Sequence, residues 1–98
     1  MRFVIERQRL DLWLWRARFF KTRAAASDAV EAGAVRLARA GAVARVRRAA
    51  VQISAGDVLC IANHAGVHIV EVRALCARRG PAAEARGLYH AAEAALDA

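Results

Sequence analysis

The chain holds 98 residues, with 16 Lys+Arg against 9 Asp+Glu, a formal net charge of +7 and a pI near 11.2. That length fits one domain and leaves no room for a catalytic domain beside a separate binding module. Setting aside 26 alanines leaves 31 larger apolar residues, enough for one compact core, which excludes a disordered basic tail.

The surplus of charge is 15 arginines and the single Lys21. Planar guanidinium forks suit phosphates, so the composition points to a polyanion, nucleic acid ahead of an anionic membrane surface. Met1 to Ile5 is too short an apolar lead for a leader peptide, and no stretch is long enough to span a membrane, so a cytoplasmic protein is expected. Cys60 and Cys76 read as small core residues of a reducing compartment.

From Arg9 to Ala17, Leu10, Trp13, Leu14 and Ala17 fall at i, i+3, i+4 and i+7, one face of an amphipathic helix. Thr22 then N-caps a second helix running to about Ala32, with Gly33 at C′ and a thin buried face of Ala26, Ala29 and Val30. After Gly33 the period changes to two, giving short arginine-bearing strands around Val35 to Leu37, Val43 to Arg47 and Val51 to Ile53. Turns at Ser54 to Asp57 and Asn63 to Gly66 lead into strands at Val58 to Ile61 and Val67 to Leu75; the second changes phase near Ile69-Val70, which predicts a bulge or burial on both faces. Pro81 starts a third helix with the stripe Ala85, Leu88, Tyr89, Ala92 and Leu96. The order helix, helix, strands, helix describes one α+β domain: two packed N-terminal helices on a short, mostly antiparallel sheet, plus a C-terminal helix.

Five of the 16 basic residues, Arg9, Arg16, Arg18, Lys21 and Arg23, lie within fifteen positions, interleaved with Trp15 and Phe20. That mixture supplies phosphate neutralisation together with stacking surfaces for exposed bases. Backbone N–H groups at the start of the second helix add a phosphate site beside Thr22 and Arg23, and Arg36, Arg45, Arg47 and Arg48 extend the basic surface over the sheet edge. Asp11 reads as a structural acid that pairs with an arginine or caps a turn. Cys60, His64 and His68 lack a second cysteine pair at zinc-ribbon spacing, and no nucleophile with a nearby base or phosphate-cradling loop occurs. No metal, cofactor, small-molecule substrate or catalysis is therefore expected.

The residues Arg9-Leu10-Asp11, Arg18-Phe19, Thr22-Arg23, Ala26, Val30, Gly33 and Gly56-Asp57 resemble the pattern of the S4-type RNA-binding domain. Leu10 to Arg23 together with Arg78-Arg79-Gly80-Pro81-Ala82-Ala83-Glu84-Ala85 and Leu88-Tyr89 are similar to its stand-alone, ribosome-associated branch, the heat-shock protein 15 family. The resemblance runs from about Arg9 to Glu93. It implies a non-enzymatic, stress-linked RNA-binding protein that docks on ribosomal RNA of the large subunit carrying peptidyl-tRNA; a monomer is expected when free. A generic S4 module in RNA regulation or ribosome assembly is the first alternative; an adaptor binding another protein through the alanine-rich third helix is the second. Three departures from the family are a longer hairpin loop, Ala38-Arg39-Ala40-Gly41, in place of Asn-Gly, an alanine at position 29 where a larger aliphatic is usual, and the lack of a long basic C-terminal extension.

The expected organisation is a lead over residues 1–8, an S4-type unit over 9–76 and a helical extension of the same domain over 77–98. Expected RNA contacts are Arg9, Arg16, Arg18, Lys21, Thr22, Arg23, Arg36 and Arg47, with Trp15 and Phe20 as stacking residues.

Overall fold

The computed structural model describes residues 5–92. Strand β1 (Gln8–Arg9) runs into helix α1 (Leu10–Arg16) and, after a short loop, helix α2 (Arg23–Glu31). The hairpin β2 (Val35–Arg39) and β3 (Ala42–Val46) follows, then β4 (Gln52–Ile53), β5 (Val58–Asn63) and β6 (Gly66–Val72). A single helical turn, α3 (Ala82–Ala85), continues as a 3-10 turn over Arg86–Leu88 into β7 (Tyr89–Ala91). Strands β3-β2-β5-β6-β7 form one antiparallel sheet and β1-β4 a second, two-stranded one.

The stripe Leu10, Trp13 and Leu14 of α1 is fully buried against Ala26 and Val30 of α2. Beneath the helices lie Val35, Leu59, Ile61, Val70 and Val72, which the strand register puts on one face of the sheet. Trp13 stacks on Phe19 at 5.9 Å and donates its indole N–H to the Ala74 carbonyl at 2.9 Å, so the largest core side chain also has its polar atom satisfied.

Both helices end in the same motif. In α2, Gly33 N–H bonds the Val30 carbonyl and Ala34 N–H bonds that of Ala29, with Gly33 left-handed at φ +84. In α1, Arg18 N–H bonds the Trp15 carbonyl and Phe19 N–H that of Leu14, so Arg18, at φ +68, occupies the position glycine usually takes. An L-residue there costs about 1–2 kcal/mol of backbone strain.

Three expectations are corrected. The hairpin loop is not longer than Asn-Gly: Ala38 pairs with Val43 and Arg39 with Ala42, leaving Ala40 and Gly41 as a two-residue turn at φ +52 and +81. Two consecutive positive φ values fit a type I′ geometry, which asparagine tolerates better than alanine. Ala40→Asn should therefore gain about 0.5–1 kcal/mol and raise the thermal midpoint by a few degrees, measured by circular dichroism melting.

Second, of the two readings of the β6 phase change the bulge is absent and partial burial of both faces is found. Its pairing with β5 is continuous from Glu71 opposite Val58 to Gly66 opposite Asn63, and the strand ends at Val72. The phase change arises because Ile69 and Cys60 face each other, half-buried, on the side of the sheet away from the helices.

Third, the C-terminal helix is one turn long, and Tyr89 and Ala92 do not continue its stripe; Leu96 lies outside the described residues. Gly87 weakens the helix by about 1 kcal/mol relative to alanine, while the edge of β6 offers a ladder: Tyr89 pairs with Val72, His90 with Glu71 and Ala91 with Val70. Tyr89 then lies 4.7 Å from Phe19, ring to ring. Tertiary pairing outweighs the helix propensity of an alanine-rich segment.

Candidate nucleic-acid interface

The first N–H groups of a helix have no intrahelical acceptor. In α1 they are taken by the loop ahead of β4: Leu10 N–H bonds the Val51 carbonyl at 2.8 Å and Asp11 N–H that of Ala49 at 3.2 Å. With the β1-β4 pairing, this brings the Arg47-Arg48 pair beside Arg9. An open groove of about 510 Å³ results, lined by Arg9, Ser27, Glu31, Arg47, Arg48, Ala49 and Ala50.

Asp11 organises this face from beneath. Its side chain is 2% exposed and accepts from Arg9 Nε and Nη2, both at 3.0 Å, and from the Leu12 N–H at 2.8 Å; Arg23 Nε lies 3.5 Å away. Burial pushes the carboxyl up, but the hydrogen bonds from Arg9 and Leu12 and the charges of Arg9 and Arg23 outweigh it and hold the group below the usual carboxylate range. Two partly exposed arginines are thereby tied to one fixed anion. Gly33 adds room: a Cβ there would stand 3.0 Å from Arg47 Nη1 and 3.2 Å from Arg45 Cδ, so its lack of a side chain lets Arg47 cross the end of α2.

Asp57 plays a matching part at the far end of the hairpin. It accepts from Arg39 Nε at 2.9 Å, Arg39 Nη2 at 2.6 Å and the Ser54 N–H at 2.9 Å. Burial again raises its pKa, and the Arg39 and Ser54 hydrogen bonds bring the net shift below the ordinary value. Arg39 is thus spoken for, and the Gly56-Asp57 turn fastens β2 to β5.

The other expected contact residues divide by location. Thr22 caps α2, its hydroxyl accepting from the Ala25 N–H at 3.0 Å, and Lys21 is exposed beside it. Arg16 is half-buried, its Nη1 donating to the Cys76 carbonyl at 2.7 Å, which makes it a brace between α1 and the segment after β6. Arg18 donates from Nε to the Gly80 carbonyl at 3.0 Å. Arg36 stands opposite Arg45 on the sheet face turned away from the helices, apart from the groove. Phe20 is half-buried against the core, and Trp15 lies under the Arg79 guanidinium at 5.6 Å.

Arg48, expected over the sheet edge, lines the groove, and no local signal in the sequence marks Ser27 or Arg79. The adjacent Arg47 and Arg48 carried the signal for the groove. Among the described residues no three His, Cys, Asp or Glu side chains gather as a metal site, and no helix is long and apolar enough to cross a membrane.

Comparison with known proteins identifies similar chains. The S4 domain pattern matches residues 8–38, spanning α1, α2 and the start of the hairpin. Heat shock protein 15 of Escherichia coli K12 is 35% identical over 81 residues, which is 83% of this chain and 57% of that protein, so the chain spans little more than half the length of this relative. A heat shock protein 15 homologue of Aeromonas salmonicida is 63% identical over 27 residues, 28% of this chain and 20% of that one. A trimeric structure of Vibrio cholerae heat shock protein 15 superposes with a TM-score of 0.78 at 28% identity, covering 93% of this chain and 87% of that one.

Proposed function

Because the chain carries an S4 domain and is homologous to heat shock protein 15 over most of its length, we propose that it binds structured RNA of the large ribosomal subunit and acts on subunits blocked by peptidyl-tRNA. The observation that carries the RNA-binding part is the groove: the exposed Arg47 and Arg48 meet there beside Arg9, whose Nε and Nη2 are held by Asp11, and Arg23 is tied to the same carboxylate. Convergent guanidinium groups over an open concave surface suit phosphates on a folded RNA, read by shape rather than by base sequence.

On this reading the protein is a binding module and not an enzyme, with residues 9–76 as the RNA-binding unit and 77–98 as its extension. It works in the cytoplasm, in response to stress. Among the described residues the third helix, on which the adaptor alternative would rely, is a single turn.

The test is sedimentation with purified large subunits, either empty or carrying peptidyl-tRNA. Preferential co-sedimentation with the blocked subunits, lost in the Arg47→Gln plus Arg48→Gln double variant of the groove, is expected. Equal binding to both subunits would favour the generic RNA module; unchanged binding by the double variant would contradict the assignment of the basic face.

A further inference from the structure

We infer that Arg18 and Arg79, with Arg78 beside them, form a second phosphate-binding site for RNA backbone, separate from the Arg9-Arg47-Arg48 groove. The two side chains make a reciprocal clasp at the end of α1. Arg18 donates from Nε to the carbonyl of Gly80, next to Arg79. Arg79 donates from Nε to the carbonyl of Trp15 at 3.1 Å, the same oxygen that accepts the Arg18 backbone N–H. Both guanidinium groups are thus held on one seam by Nε, while their terminal nitrogens, the edge that grips a phosphate bidentately, have no protein acceptor among the described residues. Arg9 and Arg39 differ, since each commits Nε and Nη2 together to an aspartate.

Three further observations support a ligand here. Trp15 lies under the Arg79 guanidinium at 5.6 Å, a contact that leaves its charge unneutralised. Among the described residues no carboxylate pairs with Arg18, Arg78 or Arg79; the nearby Glu84 side chain lies over Gly80 instead. Arg18 also keeps a left-handed backbone at a helix end where glycine would be relaxed. Strain retained at a position with an available unstrained substitute marks a side chain kept for what it does. A hydrogen bond to the Gly80 carbonyl alone explains it poorly, because the Arg79 clasp already joins the same two segments.

The inference rests on the RNA-binding reading, and one titration separates their fates. Arg18→Gly, Arg79→Gln and Arg78→Gln are compared with the wild-type protein for binding to a structured ribosomal RNA fragment over a range of salt, with thermal midpoints measured alongside. Arg18→Gly relieves backbone strain as it loses one hydrogen bond, so it should melt within a few degrees of wild type. Arg78→Gln removes an exposed side chain that makes no hydrogen bond among the described residues. Each variant should bind several-fold more weakly, with the slope of log affinity against log salt reduced by about one. Wild-type affinity and slope in folded Arg18→Gly and Arg78→Gln would overturn the second site while leaving the groove in place. Absence of salt-dependent RNA binding by the wild-type protein would overturn the RNA-binding reading itself, and this site with it.

Discussion

Replacing Asp11 with asparagine should destabilise the protein by about 2 kcal/mol, lowering the thermal midpoint by on the order of 10 °C, although the change is isosteric. The carboxylate accepts from Arg9 twice and from the Leu12 N–H, with a side chain only 2% exposed. An asparagine amide offers one acceptor and turns an NH2 donor toward the Arg9 fork, so at least one buried bond becomes a donor-donor clash. The loss stays below that of a fully buried pair because Arg9 and Arg23 are each nearly half exposed.

The same carboxylate sets an acid limit. The pKa values of Asp11 and Asp57 are both depressed in the folded protein, so their contribution to stability is fully present above the ordinary carboxylate pKa, near 4, and is lost as pH falls through the folded values. Wild-type stability should fall steeply below about pH 4, and the Asp11→Asn protein, already lacking one of the two groups, should show a shallower fall. Chemical denaturation at a series of pH values measures both. Equal acid sensitivity in the two proteins would contradict the role given to Asp11.

Removing charge from the groove should have the largest effect on binding. The Arg47→Gln plus Arg48→Gln variant should lose about tenfold in RNA affinity per residue near 0.1 M salt, with the log–log salt slope shallower by about two. Both side chains are exposed, and neither makes a hydrogen bond or ion pair among the described residues. Stability should therefore change by less than about 0.5 kcal/mol. Anisotropy titrations with a ribosomal RNA fragment read the affinity, and melting curves read the stability.

Where chain signals were local, the sequence was legible. The α1 stripe, the Thr22 cap and the Gly33 stop each depend on side chains within a few residues, and each appears in the fold as spacing and capping chemistry predict. The C-terminal segment was misread because its outcome is decided elsewhere: Tyr89 pairs with Val72 and packs on Phe19, contacts invisible to a window of helix-forming alanines. The candidate site shows the same division. Clustering in sequence picked out Arg9, Arg18 and Arg23, but not that Arg16 braces Cys76, that Arg36 stands on the other face of the sheet, or that Arg79 returns from the far end of the chain to Trp15. Charge can be counted in a sequence, whereas its convergence depends on the β1-β4 pairing and the loop that feeds α1 its acceptors.

The proposed function centres on arginines that would neutralise RNA phosphates together. Its most direct test is the affinity of the wild-type protein for structured large-subunit ribosomal RNA, measured as a function of salt. The expected result is a steep linear fall of log affinity with log salt, by about 0.7–0.9 per phosphate contacted, with four or more contacts engaged. A flat dependence, or a slope that the groove variant leaves unchanged, would contradict it.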